Sequence, residues 1–367
     1  MRAVRLAAPG RLQVEEIAVP SAGPGELLLR MEACGICGTD RHIVRGEYPS
    51  ALPVTLGHEF AGVIVASDST APAALASTLD GVAPSPMGDG AAREGGAPPV
   101  GTRVAVDPNI ACSVCRDCRR GDPCLCPRRV ALGVDLDGGL AEYVRVPLRQ
   151  VYALPPGVPA AWGALCEPLA CCLHGLDLAA IRPGMSVVVV GGGVIGQLMV
   201  QLARLAGATS VILSTRQAAR RRLAEELGAT ATIDPQSSNP VDAVAGAAGL
   251  LPGGADAVLE CAGTTETFEQ AVGLARRGGT VLIFGVAPQG ARAGISPFDV
   301  FARELRIVGA YLNPHTHGRA VELVASGRLA LAPLVTHQLS LDDVPAALLA
   351  APTPGEVKAM VNGVTSG

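Results

Sequence analysis

The chain has 367 residues, 49% of them hydrophobic and 17% charged, with a formal net charge of −4. That length allows two domains of ordinary size with a substantial core, and the acidic balance excludes a global basic field of the kind that draws nucleic acid. Aromatic residues are 3% of the chain, so the core is expected to rest on Ala, Val and Leu.

The first segment, MRAVRLAAPGRLQVEE, has no long apolar run and no signal-peptide layout. The best membrane candidate, MSVVVVGGGVIGQLMVQLA, carries three consecutive glycines and two glutamines, which suit a strand, turn and helix better than a span. The expectation is a soluble, cytoplasmic protein with no membrane and no nucleic-acid partner. Eleven cysteines, an odd number without a secretory signal, then argue for metal ligation or buried thiols over a disulfide framework.

In chain order, CGICGTDRH supplies Cys37, Thr39, Asp40 and His42, LGHEF supplies His58 and Glu59, and CEPLACCLHG supplies Glu167. Thiolate, imidazole and carboxylate are ligands of mixed hardness, suited to a zinc that keeps one position open. An ion with an open position is a Lewis acid that polarises an oxygen. Taken singly, each residue reads as an ordinary buried side chain, or as a carboxylate at a helix start. The set together points to a metal. Residues 67–100, rich in Ala, Pro and Gly, lack the period of a helix or strand and predict a mobile surface loop.

Residues 111–128, ACSVCRDCRRGDPCLCPR, hold five cysteines. Cys112, Cys115, Cys118 and Cys126 form C-x2-C-x2-C-x7-C. One irregular loop with these spacings wraps one ion, and four thiolates close a zinc's shell, so such a site is structural. Four thiolates also serve an iron–sulfur cluster. A nucleic-acid zinc ribbon fits less well, since the second separated C-x2-C knuckle and a basic face are missing.

Further on, the β-branched run Val187–Val190 meets Gly191-x-Gly193-x-x-Gly196, then a helical repeat of Leu198, Leu202 and Leu205. Between strand and helix the glycines allow the turn, let a pyrophosphate approach the backbone and pack helix on strand. The anion would sit on free N–H groups at the helix start, which makes Gly191, Gly193, Val194, Ile195 and Gly196 candidate cofactor-binding residues. TSVILS, QAARRRLAEELGA, ADAVLECAG, TFEQAVGLARRGG and TVLIFGV continue the alternation. The pattern predicts an α/β fold with a doubly wound parallel sheet.

GICGTD, LGHEFAGVI, the four-cysteine loop, GGLAEYV, EPLA, the Rossmann glycines and ECAG together resemble a zinc-containing medium-chain dehydrogenase/reductase of the alcohol dehydrogenase superfamily, over nearly the whole chain. The resemblance implies a mostly β GroES-like catalytic domain from residues 1–157 and 312–367, with a structural zinc lobe at about 108–128, and a Rossmann domain at 158–311. It settles the lobe's metal as zinc and leaves Cys124 as the spare thiol, because a seven-residue last gap is the family's spacing. It also implies a second, catalytic zinc on Cys37 and His58, with Glu59 and Glu167 completing or exchanging in that shell. Asp40 would orient His58, Thr39 would take the substrate hydroxyl proton, and His42 would pass it to solvent. The hydride would go to a nicotinamide cofactor.

Cofactor choice turns on the end of the second Rossmann strand, ILSTRQAARRR. In the family pattern the carboxylate that holds the ribose of NAD would fall at Thr215. Its absence, with Arg216 and Arg220 close by, predicts NADP in preference to NAD. Arg221 and Arg222 read as a solvated helix face. SPFDVFARELRIVGAYLNPHTHGRAVEL resembles the polyol, sorbitol-like branch, and LACC follows the Glu-Pro where threonine dehydrogenases carry Gly-Asn. The expected substrate is a sugar alcohol or cyclitol, with Tyr48, Tyr311 and Asn313 as candidate pocket residues. A threonine 3-dehydrogenase or another secondary alcohol dehydrogenase is the alternative, and a zinc- and nucleotide-binding sensor without turnover is the alternative of another class. The chain is expected to form a homodimer or homotetramer. His174, His315 and His317 read as packing or helix-start residues, and Cys34, Cys166, Cys171 and Cys172 as small buried hydrophobes. Cys261 reads as strand-end packing near the nicotinamide.

Overall fold

The computed structural model describes residues 1–67 and 97–363, so the loop expected at 67–100 lies, apart from its ends, outside the described residues. The chain divides into two compact units. The first comprises Met1–Ala170, Leu312–Pro352 and the segment from Lys358 onward; the second comprises Cys171–Tyr311 and Thr353–Val357. The first crossing falls after Ala170, and not after residue 157, because the helix Ala160–Ala164 packs on the strands Glu26–Gly35 and Glu59–Ser67.

The first unit is mostly β. Its larger sheet runs Val151–Ala153, Arg103–Val106, Glu59–Ser67, Glu26–Gly35, Lys358–Asn362 and Val335–Leu339, with Tyr143–Pro147 also paired to Glu26–Gly35. Neighbours are antiparallel except the last pair. The central strands Glu26–Gly35 and Glu59–Ser67 alternate buried apolar residues into a core that includes Leu27, Leu29, Phe60 and Ile64. Phe60 is fully buried and directly follows Glu59; truncating such a ring costs about 3–5 kcal/mol, so the backbone beside the metal cluster described below is firmly anchored. The strand Lys358–Asn362 pairs antiparallel with Glu26–Gly35, with Met360 opposite Gly35. That register carries Lys358 to the level of Ile36 and Cys37.

The second unit is a six-stranded parallel sheet in the order Ala231–Ile233, Ser210–Ser214, Ser186–Val190, Ala255–Glu260, Ala275–Ile283, Arg306–Gly309. Val187–Val190 is buried throughout, as a parallel strand covered on both faces must be. The strand order reverses at Ser186–Val190, whose partners are Ser210–Ser214 on one side and Ala255–Glu260 on the other. In an open sheet of this kind the ligand crevice lies beyond the strand ends at that reversal. The helix Val194–Leu205 starts there and buries Leu198, Met199, Leu202 and Ala203.

Candidate active site, metal centres and nucleotide cradle

The first cluster forms where two strand ends meet a helix start. Cys37 is the N-cap of the helix Gly38–Val44, and its backbone N–H donates to Asp40 Oδ2 at 2.8 Å. His58 and Glu59 lie at the beginning of the strand Glu59–Ser67. One ligand atom from each of Cys37, His58 and Glu59 falls within 4.8 Å of the others. His58 Nδ1 lies 3.3 Å from Asp40 Oδ1, and neither atom has a well-formed hydrogen bond although both are sealed from water. Burial pulls the imidazolium of His58 down, but the charges of Asp40 and then Cys37 outweigh it and hold its pKa well above the ordinary value. A thiol, an imidazole and a carboxylate this close, with unsatisfied buried polar atoms, are a donor set that fits zinc.

Sequence reading missed a fourth participant. Lys358 Nζ donates to Glu59 Oε2 and, at 3.0 Å, to the carbonyl of Ile36. Burial opposes its charge, yet Glu59 first and Cys37 next hold the ammonium above its ordinary range. Gly35 makes the pairing possible, since a Cβ there would lie 2.3 Å from Glu59 Oε2. A lone lysine in VKAMV carries no local signal; the strand register alone reveals it.

Asp40 is fully buried and Thr39 is partly exposed on the first turn of the same helix. His42 is partly exposed and its Nδ1 lies 2.6 Å from Glu47 Oε2. Glu167 is buried near the start of the helix Cys166–Ala179, outside the group of three. Tyr48 packs against the core and Tyr311 is exposed. Asn313 is 2% exposed and already committed, accepting from Asn109 Nδ2 at 2.8 Å and donating to Asp107 Oδ1 at 3.3 Å.

The second cluster comprises Cys112, Cys115, Cys118 and Cys126, whose sulfurs lie within 4.8 Å of one another. The short helix Arg116–Arg120 carries Cys118, and Cys115 caps it by accepting from the Cys118 N–H. The strands Asn109–Ile110 and Val130–Ala131 pair at the base of the lobe. Burial raises the Cys126 thiol, whereas at Cys112 the N–H groups of Val114 and Cys115 outweigh burial and bring that thiol down to about 6. Cys118 is pushed up to about 12 by burial and by its sulfur neighbours. Four sulfurs this close ionise together only around a cation, so the set fits a closed metal shell. Cys124 lies outside the group.

The nucleotide cradle is built from the predicted glycines. Gly191 has φ 106°, and a Cβ on Gly196 would lie 1.8 Å from the carbonyl oxygen of Gly191. Gly193 caps the helix Val194–Leu205, and a Cβ there would meet nothing within 4 Å. The open position at a helix N-terminus fits a pyrophosphate, with Val194 and Ile195 forming the first helical turn. Thr215 follows the strand Ser210–Ser214, buried with its side chain beside Gly192. Arg216 is exposed. Arg220 is partly buried and donates to the carbonyl of Glu356. Arg221 is not a solvated helix-face residue: it donates to the carbonyls of Thr215 and Arg216 at 2.7 and 3.0 Å and pairs with Asp234 at 3.1 Å. It thereby clamps the turn that carries Arg216.

Two histidines outside these clusters make local contacts. His317 opens the helix His317–Ala325, is buried, and stacks on Tyr152 with ring centroids 4.7 Å apart. Burial alone brings its pKa down to about 3. His315 Nε2 lies 3.1 Å from the Gly121 carbonyl. Cys34, Cys166 and Cys172 are buried in the interior and Cys171 and Cys261 partly so.

Comparison with known proteins gives a match to the zinc-binding dehydrogenase family over residues 194–326 and to the alcohol dehydrogenase GroES-like domain over residues 23–156. The chain is 31% identical over 349 residues to D-arabinitol dehydrogenase 1 of Uromyces fabae, covering 95% of this chain and 93% of that protein. It is also 31% identical over 337 residues to an L-threonine 3-dehydrogenase of Xanthomonas campestris pv. campestris, covering 90% of each. Among solved structures, a zinc-binding dehydrogenase of Sinorhizobium meliloti 1021 bound to NADP is similar at 48% identity and a TM-score of 0.90, over 98% of both chains.

Proposed function

Because the chain belongs to the zinc-binding alcohol dehydrogenase family, and is thereby a zinc-dependent alcohol oxidoreductase, we propose that it oxidises one secondary hydroxyl of a sugar alcohol or cyclitol to the ketone. NADP is the preferred cofactor, and two zinc ions bind per chain, one catalytic and one structural. The observation that carries this reading is the convergence of Cys37, His58 and Glu59 within 4.8 Å, beside a helix start that also presents Thr39. The similarity to a D-arabinitol dehydrogenase supports the substrate class.

When bound, zinc supplies a Lewis acid for the substrate oxygen and the nicotinamide accepts the hydride. Cys37 and His58 hold the catalytic ion, with Glu59 or Glu167 as the third protein ligand. Asp40 fixes the His58 ring from behind, as carboxylates commonly do for ligating histidines. Thr39 Oγ1 accepts the substrate hydroxyl proton as it gives up its own to His42. His42 takes that proton on Nε2, because Nδ1 faces Glu47, and releases it to solvent. Gly191, Gly193 and Gly196 let the pyrophosphate reach the helix N-terminus, and Thr215 leaves room for a 2′-phosphate that Arg216 meets, with Arg220 behind it. Cys112, Cys115, Cys118 and Cys126 hold the structural ion.

No helix among the described residues is long and apolar enough to cross a membrane. A cytoplasmic location and a homodimer or homotetramer complete the reading. A panel of polyols and L-threonine, assayed with both cofactors by the absorbance of the reduced nicotinamide, tests it. Turnover of a polyol with NADP is expected. Turnover of L-threonine alone, or a strong preference for NAD, contradicts the substrate or the cofactor assignment respectively.

A further inference from the structure

Zinc held by four thiolates carries a net charge of minus two. In this lobe the charge is only partly open to water: Cys112 is 1% and Cys126 6% exposed, while Cys115 and Cys118 are partly exposed. Buried net charge is stable only against a counter-charge. Two arginines approach the cluster. Arg128 Nη2 donates to Cys112 Sγ at 3.1 Å. Arg149, on the turn Leu148–Gln150, donates through Nη2 to the carbonyl of Ala111 at 3.3 Å, one residue before Cys112.

The remaining nitrogens of Arg149 are unusual. Nε and Nη1 are sealed from water and have no hydrogen-bond partner. No other arginine among the described residues leaves two guanidinium nitrogens in that state. A cavity of about 100 Å³ beside the lobe is lined in part by Arg149, Arg129 and Cys124, but atoms that water cannot touch do not face a cavity that admits water.

We propose that Arg128 and Arg149 are the counter-ions of the four-cysteine zinc, so that the ion, its four thiolates and the two guanidinium groups make one electrically neutral unit. The inference rests on the assignment of zinc to this lobe. It makes Arg149 a conditional stabiliser. With metal bound it faces a doubly negative shell. With the metal removed, most of the shell's negative charge is lost and it is a buried cation with little to neutralise it.

The test uses the full chain carrying Cys37→Ala, so that the other cluster contributes no thiolate. The metal-stripped protein is titrated with cobalt(II), whose thiolate charge-transfer absorption reports the four-sulfur shell, and the cobalt is then displaced by zinc. Arg149→Met is expected to weaken metal binding at this site about tenfold to a hundredfold, in the range of outer-shell partners of metal ligands, and Arg149→Lys to weaken it less. The gain in Tm on metal loading is expected to shrink in Arg149→Met while the metal-free Tm is unchanged or higher. Binding as tight as in the parent, or a Tm lowered equally with and without metal, would overturn the proposal. Arg128 is exposed, so Arg128→Met keeps the fold and gives a second reading, with weaker metal binding expected. A parent protein with no four-thiolate absorption would instead remove the zinc assignment itself.

Discussion

The ammonium of Lys358 rests on the carboxylate of Glu59, and both side chains are 2% exposed. The pair joins the last strand of the first unit to the strand end that presents His58. Breaking a buried pair by removing one partner leaves an uncompensated charge and costs about 3–5 kcal/mol. Lys358→Met is therefore expected to lower the unfolding free energy of the metal-free protein in urea by that amount. The double variant Lys358→Met with Glu59→Gln should recover part of the loss, because no buried charge is then left alone. Strictly additive losses in the two single variants and the double variant would show that the two groups do not act as a pair.

Thr39 is assigned the proton-accepting step. Thr39→Val keeps the shape of the side chain and removes Oγ1. A lost proton-transfer group lowers kcat by about a hundredfold to ten-thousandfold, and that loss is expected here with zinc content and KM for the cofactor little changed. Thr39→Ser should retain most of the activity. Equal kcat in Thr39→Val and the parent would remove Thr39 from the reaction.

Arg216 is exposed on a turn that Arg221 clamps through the carbonyls of Thr215 and Arg216. Hydrogen bonds to charged groups contribute about 2 kcal/mol. Arg216→Ala is expected to reduce kcat/KM with NADP by about thirtyfold, the equivalent of that energy, and to leave kcat/KM with NAD within about twofold. Steady-state kinetics with both cofactors decides. An equal fall for both would place Arg216 outside the 2′-phosphate site.

Asp107 and His317 belong to one buried polar network through Asn313. Burial pushes the Asp107 carboxyl up to about 6, against the N–H of Asn109 and the side chains of Asn313 and Asn109, which favour its charge, with His315 adding to them. The folded protein thus keeps this proton between about pH 4 and 6, where the unfolded chain has released it, so this group's contribution to stability falls as pH rises through that window. His317, brought down to about 3 by burial, acts in the opposite sense: its contribution is lost as pH falls below about 6.5. Asp107→Asn isolates the first effect, because His317 is common to both proteins. The variant is expected to gain on the parent as pH rises from about 4 to 7. A stability difference independent of pH would show that Asp107 titrates normally.

The parts legible from sequence are those in which chemistry is concentrated in short segments. Gly191 and Gly196 declare themselves because a positive φ and close backbone approach disfavour any other residue there, and Gly193 because it leaves the helix start open. The four lobe cysteines declare themselves because one ion must be wrapped by one loop. Cys37, His58 and Glu59 come together as expected, although their spacing does not rank Glu59 against Glu167. The pairing of Lys358 with Glu59 was not legible, since it depends on a strand register set across the whole first unit. Arg149 was hidden for the same reason, as it reaches the lobe from outside the cysteine segment. Arg221 was misread because helical position does not show that its guanidinium folds back onto the preceding turn. The partners that Asn313 satisfies, Asp107 and Asn109, were not legible, because they are distant in sequence.

The central claim is that zinc at Cys37 and His58 is the centre of the reaction, while the four-cysteine zinc holds the fold. The most direct measurement pairs metal content with turnover in Cys37→Ala. The account predicts a folded protein that keeps one zinc per chain, still binds NADP, and turns over no polyol. Full turnover in a folded Cys37→Ala protein that lacks the second zinc would contradict it.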